Sequence, residues 1–308
     1  AAALAVLQLL LICAVIAIGA LASRQRGRQK PVREALLPMP RGQGSRVVIR
    51  AVAVISCAIV LLPVLALLLG SIRSSSGLTL QWWSSLGSVD AGTTRIGSPV
   101  ASLLQSLRFA LLTGVVASLV GGCAAVAVLA HRWGRAVAFL AIIPLGVSAA
   151  TLGLGMLLAF GRPPFDLRET GLLIPLAHSL VAIPLVVAVM APALRSVDPR
   201  LQAVAATLGA RPTRAFLTAY GPTLRTVMLA AGGLACAVSL GEFGAASFLA
   251  RTGAPTVPIQ IVRLVSRPGE QSYGVAAVMS VILIALTLAL VLGVDRLGRR
   301  SNAVRTSH

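Results

Sequence analysis

The sequence predicts an all-α protein, a polytopic bundle of about seven helices threaded through a lipid bilayer, and three observations predict it. First, 57% of the 308 residues are hydrophobic and only 11% are charged, with a mean hydropathy of +0.91; soluble domains carry roughly 25% charged residues. Second, the apolar residues fall in runs of about 20, the length a helix needs to cross ~30 Å of hydrocarbon at 1.5 Å per residue. Third, Lys and Arg sit in the segments between the runs and crowd the same side of the membrane in alternate loops.

The spans are expected at 1–22, 51–71, 108–130, 136–160, 172–194, 226–249 and 275–294. Pro144, Pro184 and the Gly232-Gly233 pair fall inside spans, where neighbouring helices can shield the backbone they disturb. With loops assigned alternately to the two sides, one side gathers nineteen Lys and Arg: eight in 23–50, two in 131–135, five in 195–225 and four after 294. The other side gathers seven, with Arg108 near a span end. The nineteen mark the cytoplasmic side, so the N-terminus is expected outside. A wrongly merged or split span would mix the two sets of loops, so the same contrast supports the span number.

The formal charge of +19 does not indicate nucleic acid, because the basic residues are dispersed among loops instead of gathered on one stripe. Cys13, Cys57, Cys123 and Cys236 all lie in apolar runs, with neither a disulfide framework nor a zinc spacing. No GxxxxGK[ST] loop, HExxH pair or Ser/His/Asp set placed for catalysis is present. The chain is therefore expected to be no enzyme and to bind no cofactor of its own.

Residue 1 is Ala, and the first span has neither a basic leader nor a cleavage context, so the chain reads as a fragment of something longer. Residues 23–50 are basic and rich in Gly and Pro, as a linker between two membrane domains would be, or an ordinary long loop. Trp82 and Trp83, in the outer loop 72–100, suit a lipid interface and are given no binding role.

One loop is too amphipathic to be a slack connector. In 195–225, Asp198 before Pro199 forms a helix start, and Leu201, Val204, Ala205 and Leu208 share a face. Gly209 ends that helix, Pro212 starts a second short one with Phe216, Leu217 and Tyr220 on its apolar side, and Pro222 is expected to stop it before the next span. Two short helices with an exposed apolar stripe and basic flanks (Arg200, Arg211, Arg214) fit either helix-in-groove docking to a soluble subunit or passive rest on lipid.

Gly209 and Pro222 are thirteen residues apart, and with Ala205, Leu208 and Phe216 this segment resembles the coupling loop of bacterial ABC importer permeases. The acidic position of that pattern falls on Ala203, with Val204 after it, so an ionic contact made there by Glu is missing. The resemblance extends from about residue 100 to 295, through QSLRFALLTGVVAS (105–118), IPLGVSAATLGLGMLL and AVSLGEFGAASFL (237–249), and is strongest to the binding-protein-dependent permeases for thiamine, ferric iron and polyamines.

The resemblance implies a type I importer permease core at 51–308, in the inner membrane of a bacterium. Residues 1–22 would be the last helix of a preceding core in a fused chain. It also implies a cytoplasmic ABC ATPase dimer that holds the ATP, an extracytoplasmic solute-binding protein and a second permease half. The residues that would grip the ATPase are Ala203, Ala205, Leu208, Gly209, Arg211, Phe216 and Pro222.

Three intramembrane features remain. Glu242, expected within the span 226–249 in the outer third of the membrane, is costly there by ~2.5–3.5 kcal/mol at a helix centre. It is expected either to line the outer mouth of a pathway or to pair with Arg108. His178 is expected to be a packed interhelical group. Gly233, Ala237 and Gly241 form a small-residue stripe that suits close packing or sliding. The rival reading is an ion- or proton-coupled carrier, which would need several ionisable groups at mid-membrane where one is found, off-centre.

Overall fold

The computed structural model describes residues 43–87, 98–130, 133–163, 167, 170–250 and 255–303. The expected span at 1–22 and the linker up to residue 42 lie outside the described residues. In chain order the elements are α1 (Gln43–Ile72), a hairpin of β1 (Arg73–Ser74) and β2 (Gly77–Leu78), α2 (Gln81–Ser84), α3 (Pro99–Ala130), α4 (Gly134–Ile142), a 3-10 turn (Ile143–Gly146), α5 (Ala149–Phe160), α6 (Leu173–Arg195), α7 (Arg200–Thr207), α8 (Pro212–Gly241), α9 (Gly244–Leu249), α10 (Val257–Val265) and α11 (Glu270–Ala303). Five of these helices are long and apolar enough to cross a bilayer, and the pair around the 3-10 turn makes a sixth if counted as one span. The protein is a multi-pass, all-α membrane protein.

The core is a three-helix unit in which α6 packs against both α3 and α8. Ala125 of α3, Val186, Met190 and Leu194 of α6, and Ala231 and Ala235 of α8 are all buried in one apolar cluster. Such contacts need small residues, because lipid gives apolar side chains no reason to leave it and van der Waals packing must hold the helices together. A Cβ on Gly121 would lie 2.7 Å from Val186 Cγ1, and one on Gly114 would lie 3.1 Å from the Gly232 carbonyl oxygen. The α3–α8 seam therefore runs through Gly114 and Gly232.

A buried polar chain ties the same three helices. His178 Nδ1 lies 2.8 Å from Ser239 Oγ, and the Ser239 hydroxyl donates to Thr113 Oγ1 at 3.2 Å, which in turn donates to the Pro175 carbonyl at 3.3 Å. His178 is thus an interhelical packing group, as its position in the sequence suggested.

The span at 136–160, expected as one helix through Pro144, is corrected: it is bent by 103° between Gly146 and Ala149. Pro144 has no N–H to continue the ladder, Val147 is extended, and Ser148 restarts a helix by accepting the Thr151 N–H at 3.2 Å. The bent pair still joins opposite ends of the bundle. Ala141, before the break, shares a cluster with Leu194 and Tyr220, whereas Met156, Leu157 and Phe160, after it, pack with Leu173, Ala245 and Leu249 at the far end.

Other boundaries shift in the same physical sense. α1 begins at Gln43, inside the segment read as linker, and α3 begins at Pro99, nine residues before the expected span. The span expected at 226–249 ends at Gly241, where Glu242 turns extended and α9 starts afresh. Trp82 does not face lipid: it is 5% exposed, its indole N–H donates to the Arg73 carbonyl at 3.0 Å, and its ring covers Gly274, where a Cβ would lie 2.5 Å from the ring. Trp83 remains about one-third exposed.

The bend brings α5 and α9 into backbone contact, since a Cβ on Gly153 would lie 2.6 Å from the Ala245 carbonyl oxygen, while nothing lies within 4 Å of one on Gly155. Gly153→Leu is expected to lower the thermal unfolding temperature of the detergent-solubilised protein, the overpacking costing about 1–3 kcal/mol. Gly155→Leu, on the same helix, is expected to leave it unchanged. Equal effects of the two would refute this packing.

Candidate functional site

The segment 195–225 is an arm of helix set by two kinds of stop signal. At its start, the Asp198 carboxylate accepts the Arg200 N–H at 2.9 Å, satisfying a donor that the first turn of α7 would otherwise leave unpaired. At the end of α7, the Gly209 N–H donates to the Ala206 carbonyl at 3.0 Å and the Ala210 N–H to the Ala205 carbonyl at 3.1 Å. That is the paired closure of a Schellman motif, and it requires the left-handed φ of +87° that Gly209 adopts. Arg211 is extended and Pro212 opens α8 at its first turn.

Pro222 does not end the second helix, a correction to the sequence reading. α8 runs unbroken from Pro212 to Gly241, so the expected second short helix is the leading end of the next span. Its 30 residues measure about 45 Å at 1.5 Å per residue against ~30 Å of hydrocarbon. The excess carries the first turns beyond the apolar layer. Thr226 Oγ1 donates to the Pro222 carbonyl at 3.1 Å beside the proline.

The arm is anchored on one side and bare on the other. Phe216 and Tyr220 stack with ring centroids 4.9 Å apart, and both belong to the cluster around Leu194 and Ala125. Gln202 and Ala205 are half-covered, whereas Leu201, Val204 and Leu208 are 55%, 56% and 83% exposed, and no residue of α7 is buried. Of the residues expected to act in coupling, Ala203, Leu208, Gly209, Arg211 and Pro222 are exposed, Ala205 is half-covered, and Phe216 turns toward the bundle. The arm thus presents a short apolar edge on a stiff support, flanked by the exposed Arg200, Arg211 and Arg214.

Glu242 lies at the opposite end of α8. It is half-buried, and of its two expected roles the pairing with Arg108 is replaced by another: Glu242 Oε1 accepts the Ala245 N–H at 3.2 Å, capping the start of α9. A Cβ on Gly244 would lie 3.2 Å from that oxygen and 3.1 Å from the Ala150 backbone nitrogen, so the carboxylate lies beside the start of α5 as well. Helix N-termini favour negative charge, which offsets part of the cost of placing an acid here. Arg108 is exposed.

The stripe Gly233, Ala237, Gly241 is not one seam. Gly233 meets α11, where a Cβ would lie 2.0 Å from Val294 Cγ2, whereas nothing lies within 4 Å of one on Gly241. The seam that holds α8 to α3 passes through its neighbour Gly232, which the sequence reading missed. A glycine pair serving two partners on adjacent faces was its one visible signal.

No family model matches the chain. It is similar to PhnV of Salmonella typhimurium (strain LT2), named as a 2-aminoethylphosphonate transport system permease protein, with 27% identity over 271 residues covering 86% of this chain and 98% of that protein. It is also similar to the sulfate transport system permease protein CysT of Escherichia coli (strain K12), with 31% identity over 142 residues, 44% of this chain and 51% of that protein. PhnU of Salmonella typhi, named as a permease of the 2-aminoethylphosphonate system, is 32% identical over 149 residues, 47% of this chain and 51% of that protein. The chain's relatives are thus permease proteins of solute transport systems.

Gly209→Val forces a β-branched side chain into the left-handed region, at a local cost of about 1–2 kcal/mol. Limited trypsin digestion of the purified protein is expected to cut after Arg200, in the first turn of α7, roughly tenfold faster in this variant than in the wild type, because the closure of α7 opens more often. An unchanged rate would contradict the role given to Gly209.

Proposed function

We propose that this chain is the membrane-spanning permease subunit of an ATP-driven ABC importer, with residues 195–225 as the handle gripped by a cytoplasmic ATPase dimer. The observation that carries the reading is the arm itself. A Schellman-capped helix exposes Leu201, Val204 and Leu208 to solvent while Phe216 and Tyr220 bind its support into the bundle. Lipid at an interface needs no such stiffness, whereas a lever does.

In this mechanism the ATPase supplies differential free energy by holding the arm in one of two positions as its nucleotide state changes. α8 transmits that displacement without a joint, and the bundle changes which end of the pathway is open. Solute is delivered by an extracytoplasmic binding protein, and the pathway is completed by a second permease half, fused to this one or separate. The arm end is the cytoplasmic one, by the excess of Lys and Arg in its loops, and the membrane is the inner membrane of a bacterium.

For the substrate, the names of the relatives favour a small oxyanionic solute of the phosphonate or sulfate class. Thiamine and ferric iron, which the family resemblance put first, have no counterpart among those names. Glu242 is assigned the cap of α9, whose Ala245 N–H its carboxylate accepts, and not a solute contact. Glu242→Gln keeps an acceptor oxygen for the Ala245 N–H and is expected to support uptake near the wild-type rate, whereas Glu242→Ala is expected to lose about 0.5–2 kcal/mol of stability with the cap. Failure of the Gln variant alone in a proteoliposome uptake assay would restore a pathway role.

The docking itself is tested by Val204→Asp and Leu208→Asp. Both are expected to abolish copurification of the ATPase subunit while the permease remains folded in the membrane, since each charge would be buried unpaired in an apolar groove. Undiminished copurification with both would remove the handle from the mechanism.

A further inference from the structure

A cavity of about 690 Å³ opens between α1 and α11 at the end of the bundle opposite the arm. Its form is that of an amphiphile. The rim is polar: Arg73 and Ser75 come from the hairpin that follows α1, and Glu270 and Tyr273 from the first turn of α11. Below the rim the walls are apolar, with Ala66, Leu67 and Gly70 from α1, Ala277 from α11, and Ile261 and Val265 from α10. The two helices touch where a Cβ on Gly70 would lie 3.5 Å from the Ala277 Cβ, and neither carries a side chain there large enough to fill the space.

Depth fixes what can enter. From Arg73 to Ala66, or from Glu270 to Ser280, the walls descend about 10–15 Å at 1.5 Å per residue. The rim therefore lies at headgroup level and the walls lie among acyl chains. The rim also carries both signs of charge. Arg73 is exposed and has no carboxylate within salt-bridge distance among the described residues. Glu270 already accepts the Ser75 N–H and, at 2.8 Å, the Ser75 hydroxyl, but a carboxylate has about four acceptor sites. A guanidinium matches a phosphate in fork geometry, and the carboxylate matches a primary ammonium.

We infer that this cavity seats one zwitterionic aminophospholipid of the leaflet farther from the arm, its phosphate on Arg73, its ammonium on Glu270, and one acyl chain along the Ala66–Ala277 wall. Such a lipid fills the space between α1 and α11 and fastens α1, which is otherwise exposed along most of its length, to the rest of the bundle.

The test uses the full chain in nanodiscs made of equal parts phosphatidylethanolamine, phosphatidylcholine and phosphatidylglycerol with identical acyl chains, followed by gentle detergent release and native mass spectrometry of the retained lipid. Phosphatidylethanolamine is expected to be retained about fivefold over phosphatidylglycerol, a ratio in the range of one charge-assisted contact. Glu270→Gln is expected to erase the preference, Arg73→Gln to lower retention of all three lipids alike, and Ala66→Phe, which fills the cavity from α1, to erase retention. Glu270→Gln keeps an acceptor oxygen for the Ser75 N–H and Arg73→Gln leaves the carbonyl that holds Trp82 in place, so the test survives failure of the Ala66 variant to fold. Retention of the three lipids in their input ratio, preference for phosphatidylglycerol, or preference that persists in the Glu270 variant would overturn the assignment.

Discussion

The structure depends on one helix staying whole. α8 starts outside the apolar layer, passes Pro222 without a break and ends at Gly241 in the far part of the bundle. A proline inside a helix removes one ladder hydrogen bond and crowds the preceding turn. Around Pro222 the adjacent stacking of Phe216 on Tyr220 and the burial of Ala219 against the core hold the helix together through that defect. If α8 were jointed there, a force on α7 would bend the joint and leave the bundle unmoved.

Close approach is the second constraint, and it follows from the first. A helix that transmits motion needs tight seams, and in a bilayer these come from missing side chains more than from apolar ones. Gly114 and Gly232 let α3 meet α8, Gly121 lets α3 meet Val186 of α6, and Gly153 lets α5 meet the backbone of α9. The break at 143–148 serves the same contact, since a straight α4–α5 would not carry Gly153 to Ala245. Glu242 belongs with this set: its carboxylate caps the helix that Gly153 touches.

Much of this was legible in the sequence because the bilayer writes its demands in length and charge. Six of the seven expected spans fall on described helices, though several boundaries move, and Asp198, Gly209 and Pro212 mark the arm with local chemistry that tertiary context does not override. The misreadings have a common cause. Pro144 lies in an apolar run and Pro222 in a polar stretch beside Gly221, Thr223 and Arg225, yet the first breaks its helix and the second does not. The difference lies in their surroundings: Gly146 and Ser148, close in sequence, offer a ready restart after Pro144, whereas tertiary packing around Ala219 and Tyr220 restrains the chain at Pro222. Trp82 was assigned to lipid because nothing in its own segment announces Gly274, 192 residues away, as the floor it covers. Glu242 was read as a charge inside a span because hydropathy continues past Gly241 into α9, and only the backbone shows that the helix stops.

The arm, the seams and the unbroken helix amount to one statement, that α7 and the membrane part of α8 move as a single body. The most direct measurement is the distance distribution between spin labels at positions 206 and 229, both exposed and neither on the apolar edge of the arm, in a variant free of other cysteines. The account predicts one narrow distance that stays the same with and without nucleotide on the assembled transporter. A broad distribution, or a distance that changes with nucleotide, would contradict it.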